Sequence, residues 1–133
     1  MNKLIVFTDG ASRGNPGPAS YGFVIREEGK VVYKEGKALG ITTNNVAEYT
    51  SVLQALKYIK KNYTSILPVE FFADSRLVVE QLSGRFKIKS PHLRILIDEI
   101  RNLEKKIGEV NYTHIRRELN KDADRLANIA LDI

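Results

Sequence analysis

Short apolar runs alternate along the chain with longer segments in which apolar residues repeat at helical spacing. Five runs have the length and composition of β-strands: residues 4–8, 21–26, 31–38, 69–73 and 110–115. The polar stretch 27–30 between the second and third runs is typical of a hairpin turn. The pattern therefore predicts five strands, two of which form an antiparallel hairpin.

Four segments between and after these strands have helical periodicity. They are residues 44–61, 75–82, 90–107 and 123–131. Asn44 or Asn45 is expected to cap the first helix, while Gly84 and Gly108 are expected to end the second and third. Strands mixed with crossover helices predict an α/β fold in which helices flank the sheet.

The composition is that of an ordinary globular protein, with 43% hydrophobic and 28% charged residues over 133 positions. We expect a single domain over residues 1–133, because this length is typical of one domain. The chain has no cysteine, which excludes disulfides and thiolate metal sites. No apolar run approaches the ~18 residues of a membrane span, and the amino-terminal run is too short for a secretory signal. A cytoplasmic protein without a membrane partner is therefore expected.

The net charge of +5 is compatible with a polyanionic partner such as a nucleic acid. Basic residues form two clusters along the sequence: Arg85, Lys87, Lys89 and Arg94, and then Arg116, Arg117, Lys121 and Arg125. An ordinary solvated surface explains such clusters equally well. Charge alone therefore does not decide between the two explanations.

Two predicted strands end in an aspartate, since Asp9 follows the first strand and Asp74 follows the fourth. Asp9-Gly10 is a common turn dipeptide, and Asp74 would suit the cap of the helix after it. A hairpin turn at Asp9 is disfavoured, because the next ten residues are rich in glycine and proline. If the two strands are parallel neighbours, both carboxylates emerge at the carboxyl edge of the sheet, where such sheets bind ligands.

Two further acids lie near helix starts, Glu48 in the first helix and Asp124 in the last. The helix dipole alone favours an acid at such a position. Four carboxylates held together would repel one another, and divalent cations would relieve that repulsion. Oxygen ligands without cysteine or a histidine pair suit Mg²⁺ or Mn²⁺. Because paired ions support in-line attack at phosphorus, the set indicates a metal-dependent phosphodiesterase.

Four blocks of sequence, taken in order, closely resemble type 1 ribonuclease H. They are residues 8–18 (TDGASRGNPGP), 42–48 (TTNNVAE), 74–75 (DS) and 120–127 (NKDADRLA). Each block is weak by itself, whereas together they are highly specific and span nearly the whole chain. The resemblance implies the ribonuclease H-like fold, an α/β fold with a five-stranded mixed sheet flanked by helices.

The resemblance also implies an activity and its residues. The family hydrolyses the RNA strand of RNA/DNA hybrids through two Mg²⁺ (or Mn²⁺) ions and leaves 5′-phosphate and 3′-hydroxyl ends. By motif position, the catalytic and metal-binding carboxylates are Asp9, Glu48, Asp74 and Asp124. The implied substrate-binding residues are Gly14, Asn15, Thr43, Asn44 and Gln81. Glu48 would also meet a ribose 2′-hydroxyl, the group that distinguishes RNA from DNA.

Two features of the family are reduced in this sequence. Many members carry a basic protrusion between the second and third helices, where this chain has only residues 83–90. Arg85, Lys87 and Lys89 are expected to supply a reduced version of that contact. Many members also have a histidine in a mobile loop before the last helix, but too few residues follow His114 for such a loop. Arg117 resembles the arginine of short-loop relatives and joins the catalytic set.

Two other functions share the same acids or the same fold. A non-catalytic hybrid-binding module usually lacks one carboxylate, and none is missing here. Polynucleotidyl transferases and resolvases share the acids but, as a rule, not the blocks around Asn15 and Asn44. The leading hypothesis is therefore an active ribonuclease H that acts as a monomer on RNA/DNA hybrids. Recognition of A-like helices by shape would add a secondary activity on double-stranded RNA.

Overall fold

A five-stranded mixed sheet forms the centre of the computed structural model, which describes residues 3–64 and 67–132. Met1 and Asn2, at the start of the amino-terminal apolar run, lie outside the described residues. The strands are β1 (Leu4–Ser12), β2 (Gly17–Glu27), β3 (Lys30–Thr42), β4 (Val69–Ala73) and β5 (Val110–His114). They lie in the order β3-β2-β1-β4-β5. The first three strands pair antiparallel, whereas β4 and β5 run parallel to β1, so the predicted mixed sheet is confirmed.

Helices cover both faces of this sheet. They are α1 (Asn44–Asn62), α2 (Arg76–Leu82), α3 (Pro91–Ile107) and α4 (Lys121–Leu131), and a 3-10 turn (Arg117–Leu119) precedes α4. α1 packs on β1, β2 and α3, while α4 packs on β1, β2 and β3 from the other side. Residues 19–25 of β2 are all buried, as expected of a strand covered on both faces. Among the described residues, no helix is long and apolar enough to cross a membrane.

The first hairpin is longer than the sequence predicts. The expected strands end at residue 8 and begin at residue 21, whereas β1 reaches Ser12 and β2 starts at Gly17. Pairing continues to Ser12 opposite Ala19, so the connection is only residues 13–16. The expected end of the first strand at residue 8 is therefore wrong, although Asp9 is, as expected, not in a hairpin turn. Cross-strand pairing overrides the low strand propensity of glycine and proline, and Asp9 lies inside β1.

The caps of α1 and α2 also differ from the expected ones. Thr43, not Asn44 or Asn45, caps α1, because its hydroxyl accepts a hydrogen bond from the backbone N–H of Val46 at 3.2 Å. Ser75 caps α2 by accepting a hydrogen bond from the backbone N–H of Val78 at 3.4 Å. Asp74 is therefore not needed as a cap.

Two glycines let α4 lie directly on the sheet. A Cβ atom at Gly22 of β2 would lie 2.6 Å from the carbonyl oxygen of Ala123 and 2.7 Å from the backbone nitrogen of Ala127. A Cβ atom at Gly36 of β3 would lie 2.6 Å from the carbonyl oxygen of Leu126. Because these neighbours are backbone atoms, they cannot turn aside as a side chain would. The position of α4 is therefore fixed by the absence of side chains beneath it.

The substitution Gly22→Ala is expected to lower the free energy of unfolding by about 2–3 kcal/mol, because the new methyl group overpacks against the backbone of α4. Chemical denaturation measures this loss. Gly29→Ala serves as the control, since a Cβ atom there meets nothing within 4 Å and strains only the positive φ of 78°. That strain should remove about 1 kcal/mol. If both variants lost the same free energy of unfolding, close packing at Gly22 would not be what holds α4 in place.

Candidate active site

The parallel pair of β1 and β4 brings the first two predicted carboxylates to one edge of the sheet. Their pairing runs from Leu4 opposite Val69 to Thr8 opposite Ala73. Asp9 and Asp74 are the next residues along the two strands. They therefore leave the paired region at the same level, as the sequence predicts for parallel neighbours.

Glu48 reaches the same edge because α1 lies directly against β1. A Cβ atom at Gly10 would lie 2.4 Å from the backbone nitrogen of Glu48 and 2.5 Å from the carbonyl carbon of Ala47. Only glycine at this position allows α1 to begin so close to the strand. Gly10 was not predicted as a functional residue. Its signal in the sequence is its place beside an apolar strand, where glycine often marks a close backbone approach.

Asp124 comes from α4 on the opposite face of the sheet. Asn120 is buried, and its Nδ2 donates a hydrogen bond to the carbonyl oxygen of Thr8 at 2.9 Å, which ties the start of α4 to the residue before Asp9. Asn128 donates to Oδ1 of Asp124 at 3.1 Å and orients that carboxylate. Asn128 was also missed by sequence reasoning, although its place four residues after Asp124 puts both on one helix face.

All four predicted carboxylates line one open cleft of about 550 Å³. Carboxylate oxygens of Asp9, Glu48 and Asp74 lie within 4.8 Å of one another, close enough for a single metal ion to contact all three. Asp124 lines the same cleft. The remaining lining residues are mostly polar: Gly10, Ala11, Ser12, Asn44, Asn45, Ser75, Arg117 and Asn128.

Crowding of these acids changes their protonation. Asp9 is only 5% exposed, and its burial, together with the negative charges of Asp74 and Asp124, raises its pKa to about 8. The backbone N–H of Gly10 donates to Oδ1 of Asp9 at 2.9 Å, which lowers that pKa without offsetting the increase. Burial and the charges of Asp9 and Asp74 also raise the pKa of Glu48 well above its usual value. The cluster therefore retains protons at neutral pH unless a cation replaces them.

The donor set fits a divalent cation. All the clustered acids offer carboxylate oxygens, which hard cations such as Mg²⁺ and Mn²⁺ prefer. A cation in the cleft would neutralise the charges whose repulsion raises the pKa of Asp9 and of Glu48.

Arg117 lies at the rim of this cleft, in the 3-10 turn before α4. Its side chain is 79% exposed, and its Nη2 lies 3.8 Å from Oδ1 of Asp124. His114 is exposed at the end of β5, where it pairs with Ala73, and it does not line the cleft. The structure therefore brings Arg117, and not His114, to the carboxylates.

Four of the predicted substrate-binding residues meet where the connection 13–16 approaches the start of α1. Oδ1 of Asn15 accepts a hydrogen bond from the backbone N–H of Asn44 at 3.0 Å. Oδ1 of Asn44 accepts one from the hydroxyl of Ser12 at 2.7 Å. Thr43 caps the helix, and Gly14 has a φ of 94°, which glycine adopts without strain. These residues form one polar surface beside the cleft.

A second, more apolar groove of about 740 Å³ adjoins this surface. Asn45 lines both the groove and the carboxylate cleft. The far side of the groove is the start of α3, where Ile95 is 65% exposed and His92 contributes a polar group. A continuous concave surface therefore runs from the carboxylates to α3.

Gln81, the fifth predicted substrate-binding residue, lies apart from both clefts. It is only 7% exposed, and its Oε1 accepts a hydrogen bond from the hydroxyl of Tyr49. Its Nε2 donates to the carbonyl oxygen of Lys87 at 3.1 Å. The structure therefore does not place Gln81 for the expected direct contact with substrate, because the packing of α2 turns its side chain inward.

Known proteins resemble this chain over nearly its whole length. Residues 7–130 match the family described as Reverse transcriptase-like. A bifunctional protein of Mycobacterium tuberculosis is 42% identical over 132 residues, which are 98% of this chain and 36% of that protein. Ribonuclease HI of Halobacterium salinarum is 39% identical over 131 residues, 98% of this chain and 65% of that protein. The chain thus spans less than two thirds of the length of either relative.

A solved structure has nearly the same fold as this chain. It is LC11-RNase H1 in complex with an RNA/DNA hybrid, which has a TM-score of 0.94 at 38% identity and covers 98% of this chain and 97% of that chain. The chain belongs to the type 1 ribonuclease H family. Only residues 83–90 separate α2 from α3, and only residues 115–120 separate β5 from α4. The chain therefore has no room for the basic protrusion or the histidine loop, as predicted.

The raised pKa values of Asp9 and Glu48 predict how the stability of the folded chain depends on pH without a metal ion. Asp9 and Glu48 bind protons more tightly in the folded chain than in the unfolded chain. The free energy of unfolding should therefore fall as pH rises from about 4 towards about 8, by roughly 1 kcal/mol or more. Thermal melts in EDTA between pH 5 and pH 8.5 measure this decrease.

Asp9→Asn is the matched control for these melts, because it removes the main titrating group and should flatten the pH dependence relative to the wild type. Saturating Mg²⁺ should also remove most of the decrease in the wild type, since cation binding favours the ionised carboxylates. A wild-type pH dependence that equals that of Asp9→Asn in EDTA would contradict the prediction.

Proposed function

We propose that this chain is an endoribonuclease that hydrolyses the RNA strand of RNA/DNA hybrids, leaving 5′-phosphate and 3′-hydroxyl ends. The observation that carries this proposal is the convergence of Asp9, Glu48, Asp74 and Asp124 on one open cleft. Such a concentration of negative charge opposes folding. Its presence on a rigid sheet edge is therefore best explained by catalysis.

The relatives support the choice of substrate. LC11-RNase H1, which this chain matches over 97% of the solved chain, was solved in complex with an RNA/DNA hybrid. The Halobacterium relative is named ribonuclease HI. Because the mycobacterial relative is matched over only 36% of its length, its further functions are not carried over.

We propose that the cofactor is a pair of Mg²⁺ or Mn²⁺ ions held by the four carboxylates. Bound ions of this kind generate a nucleophilic water and stabilise the charge on the leaving oxygen. The protein contributes rigid placement, because the sheet fixes Asp9 and Asp74 and the close approach at Gly10 fixes Glu48 beside them. Asp9 and Glu48 would hold the cations in their ionised form, so binding would displace the protons that these two residues otherwise retain.

Recognition of the RNA strand is proposed to rest on Glu48 and the polar surface beside it. Glu48 would accept a hydrogen bond from a ribose 2′-hydroxyl, which DNA lacks. Asn15, Thr43 and Asn44 offer neutral polar groups next to the carboxylates, and these suit sugar and phosphate oxygens. The backbone at Gly14 carries no side chain that would keep a duplex away.

Basic side chains of the loop over residues 83–90 are proposed to contact phosphates of the hybrid. Lys87 and Lys89 are exposed and form no ion pair among the described residues. Arg85 differs, because it donates two hydrogen bonds, of 2.7 Å and 3.0 Å, to the carboxylate of Glu80. The reduced basic contact therefore rests mainly on two lysines.

We further propose a weaker activity on double-stranded RNA, because a surface that reads the shape of an A-like helix accepts both duplexes. The enzyme is proposed to act as a monomer, since one chain supplies all four carboxylates. A cytoplasmic location agrees with the absence of cysteine.

Asp9→Asn is expected to abolish cleavage of a hybrid whose RNA strand is end-labelled, because the substitution keeps the size of the side chain and removes its charge. The measurement is product formation in Mg²⁺ and in Mn²⁺, together with the Tm of the metal-free variant. That Tm should equal or exceed the wild-type value, since the buried charge is unfavourable.

The same assay on other duplexes separates the alternative functions. Hybrid RNA should be cut most rapidly, double-stranded RNA more slowly and duplex DNA not at all. A folded, metal-loaded wild type that leaves hybrids intact would overturn the proposal. Hybrid binding in EDTA without products would favour a non-catalytic module, and equal cutting of duplex or branched DNA would favour a transferase or resolvase.

Arg117→Ala is expected to lower kcat roughly 10-fold, because an exposed cation beside Asp124 would stabilise the charge that develops on the scissile phosphate. The loss of one such donor has at least this effect. Arg117→Lys, which keeps the charge, should retain most of the activity. The dependence of rate on Mg²⁺ concentration should be the same in both variants. Unchanged kcat in Arg117→Ala would show that the arginine takes no part in turnover.

A further inference from the structure

A buried amide joins three elements behind the carboxylate cleft. Gln81 of α2 accepts a hydrogen bond from the hydroxyl of Tyr49 on α1 and donates one to the carbonyl oxygen of Lys87. Its backbone carbonyl oxygen accepts a hydrogen bond from Nη2 of Arg101 on α3 at 3.4 Å. A buried amide is unfavourable unless its polar atoms are paired. Gln81 therefore favours the one loop conformation that brings the carbonyl group of Lys87 to it.

The first half of the loop over residues 83–90 is tied back to α2. The backbone N–H groups of Arg85 and Phe86 donate to the carbonyl oxygen of Glu80 at 2.9 Å and 3.1 Å, and the side chain of Arg85 pairs with the Glu80 carboxylate. Ile88 packs against the hydrophobic core, and its carbonyl oxygen accepts a hydrogen bond from Arg94 at 3.4 Å. The bond from Gln81 falls between these two points, on Lys87 itself. Lys87 and Lys89 extend from the segment that this bond holds.

Tyr49 links this hydrogen-bond network to the carboxylate cleft, because it directly follows Glu48 in α1. Tyr49 is fully buried, so its hydroxyl group is a fixed anchor inside the protein. The path from the metal-binding carboxylates to the basic loop thus runs through one backbone step and two side-chain hydrogen bonds.

We propose that Gln81 is a positioning residue for nucleic-acid binding, which holds Lys87 and Lys89 in fixed register with the carboxylate cleft. This inference rests on the proposed ribonuclease activity. It names the residue that positions the two lysines for contact with the phosphates of the hybrid. Without the amide, the loop must be ordered anew each time a duplex binds, which weakens binding. The carboxylates themselves keep their geometry.

The first test is the substitution Gln81→Met, which keeps an unbranched side chain of similar length and removes both hydrogen bonds. We expect KM for a hybrid to rise about 10-fold, with a smaller change in kcat, because weakened binding is distinct from weakened chemistry. The slope of log affinity against log salt should become shallower by roughly 1–2, since each phosphate contact contributes about 0.9. Gln54→Met on α1 is the matched control and should leave both quantities unchanged.

A double-mutant cycle tests whether Gln81 acts through the lysines. In the background Lys87→Ala/Lys89→Ala, the further change Gln81→Met should have little effect on KM or on the salt slope. Independent, additive effects would overturn the proposal, because they would show that the amide acts by another route.

Amide hydrogen exchange of the free protein provides a readout that does not depend on activity. The amides of Arg85 and Phe86, which donate to the carbonyl oxygen of Glu80, should exchange at least about 10-fold faster in Gln81→Met than in the wild type, while amides of β1 and β4 stay protected. If the wild type neither binds nor cuts hybrids, the proposed function fails while exchange still tests the connection. If Gln81→Met does not fold, Tyr49→Phe serves in its place and should give smaller changes in the same direction. Unchanged KM, salt slope and exchange in a folded variant would overturn the inference.

Discussion

Repulsion among carboxylates at one edge of the sheet is the constraint on which the rest of the candidate active site depends. Burial and neighbouring charge raise the pKa of Asp9 to about 8 and raise that of Glu48 as well. The free energy that holds these groups together comes from elsewhere, from the packed core around residues such as Tyr21, Phe23 and Phe71. The carboxylate cluster therefore lowers the free energy of unfolding, and a bound cation would restore it by neutralising the charges.

Close contact between backbones is how the fold holds the acids against their repulsion. Gly10 allows α1 to begin against β1, and Gly22 allows α4 to lie on β2 from the other face. The hydrogen bond from Asn120 to the carbonyl oxygen of Thr8 then joins α4 to β1 beside Asp9. Backbone atoms in contact cannot change rotamer as side chains do, so the helices cannot shift relative to the strands. The carboxylates on both helices are thereby held at fixed positions relative to the strands.

The surface around the cleft agrees with a duplex that lies across several elements. A polar region at the start of α1, an apolar groove towards α3 and a lysine-bearing loop surround the carboxylates. Arg85 is hydrogen-bonded to the carboxylate of Glu80, so the loop over residues 83–90 offers fewer unpaired positive charges than its sequence indicates. Its order depends on the buried amide of Gln81. A compact domain can thus organise a basic contact without an additional helix.

The sequence by itself determined the order and type of the elements, because strand and helix periods are local properties of the chain. It also determined the set of four acids, through strand ends, helix starts and the family resemblance. Only the tertiary structure decided where β1 ends, because pairing with β2 overrides the local preference of glycine and proline. It likewise decided the roles of Gly10 and Gln81, since a close backbone approach and a buried amide depend on residues distant in sequence. Contacts between residues that are distant in sequence arise from tertiary packing and cannot be predicted from a local sequence pattern.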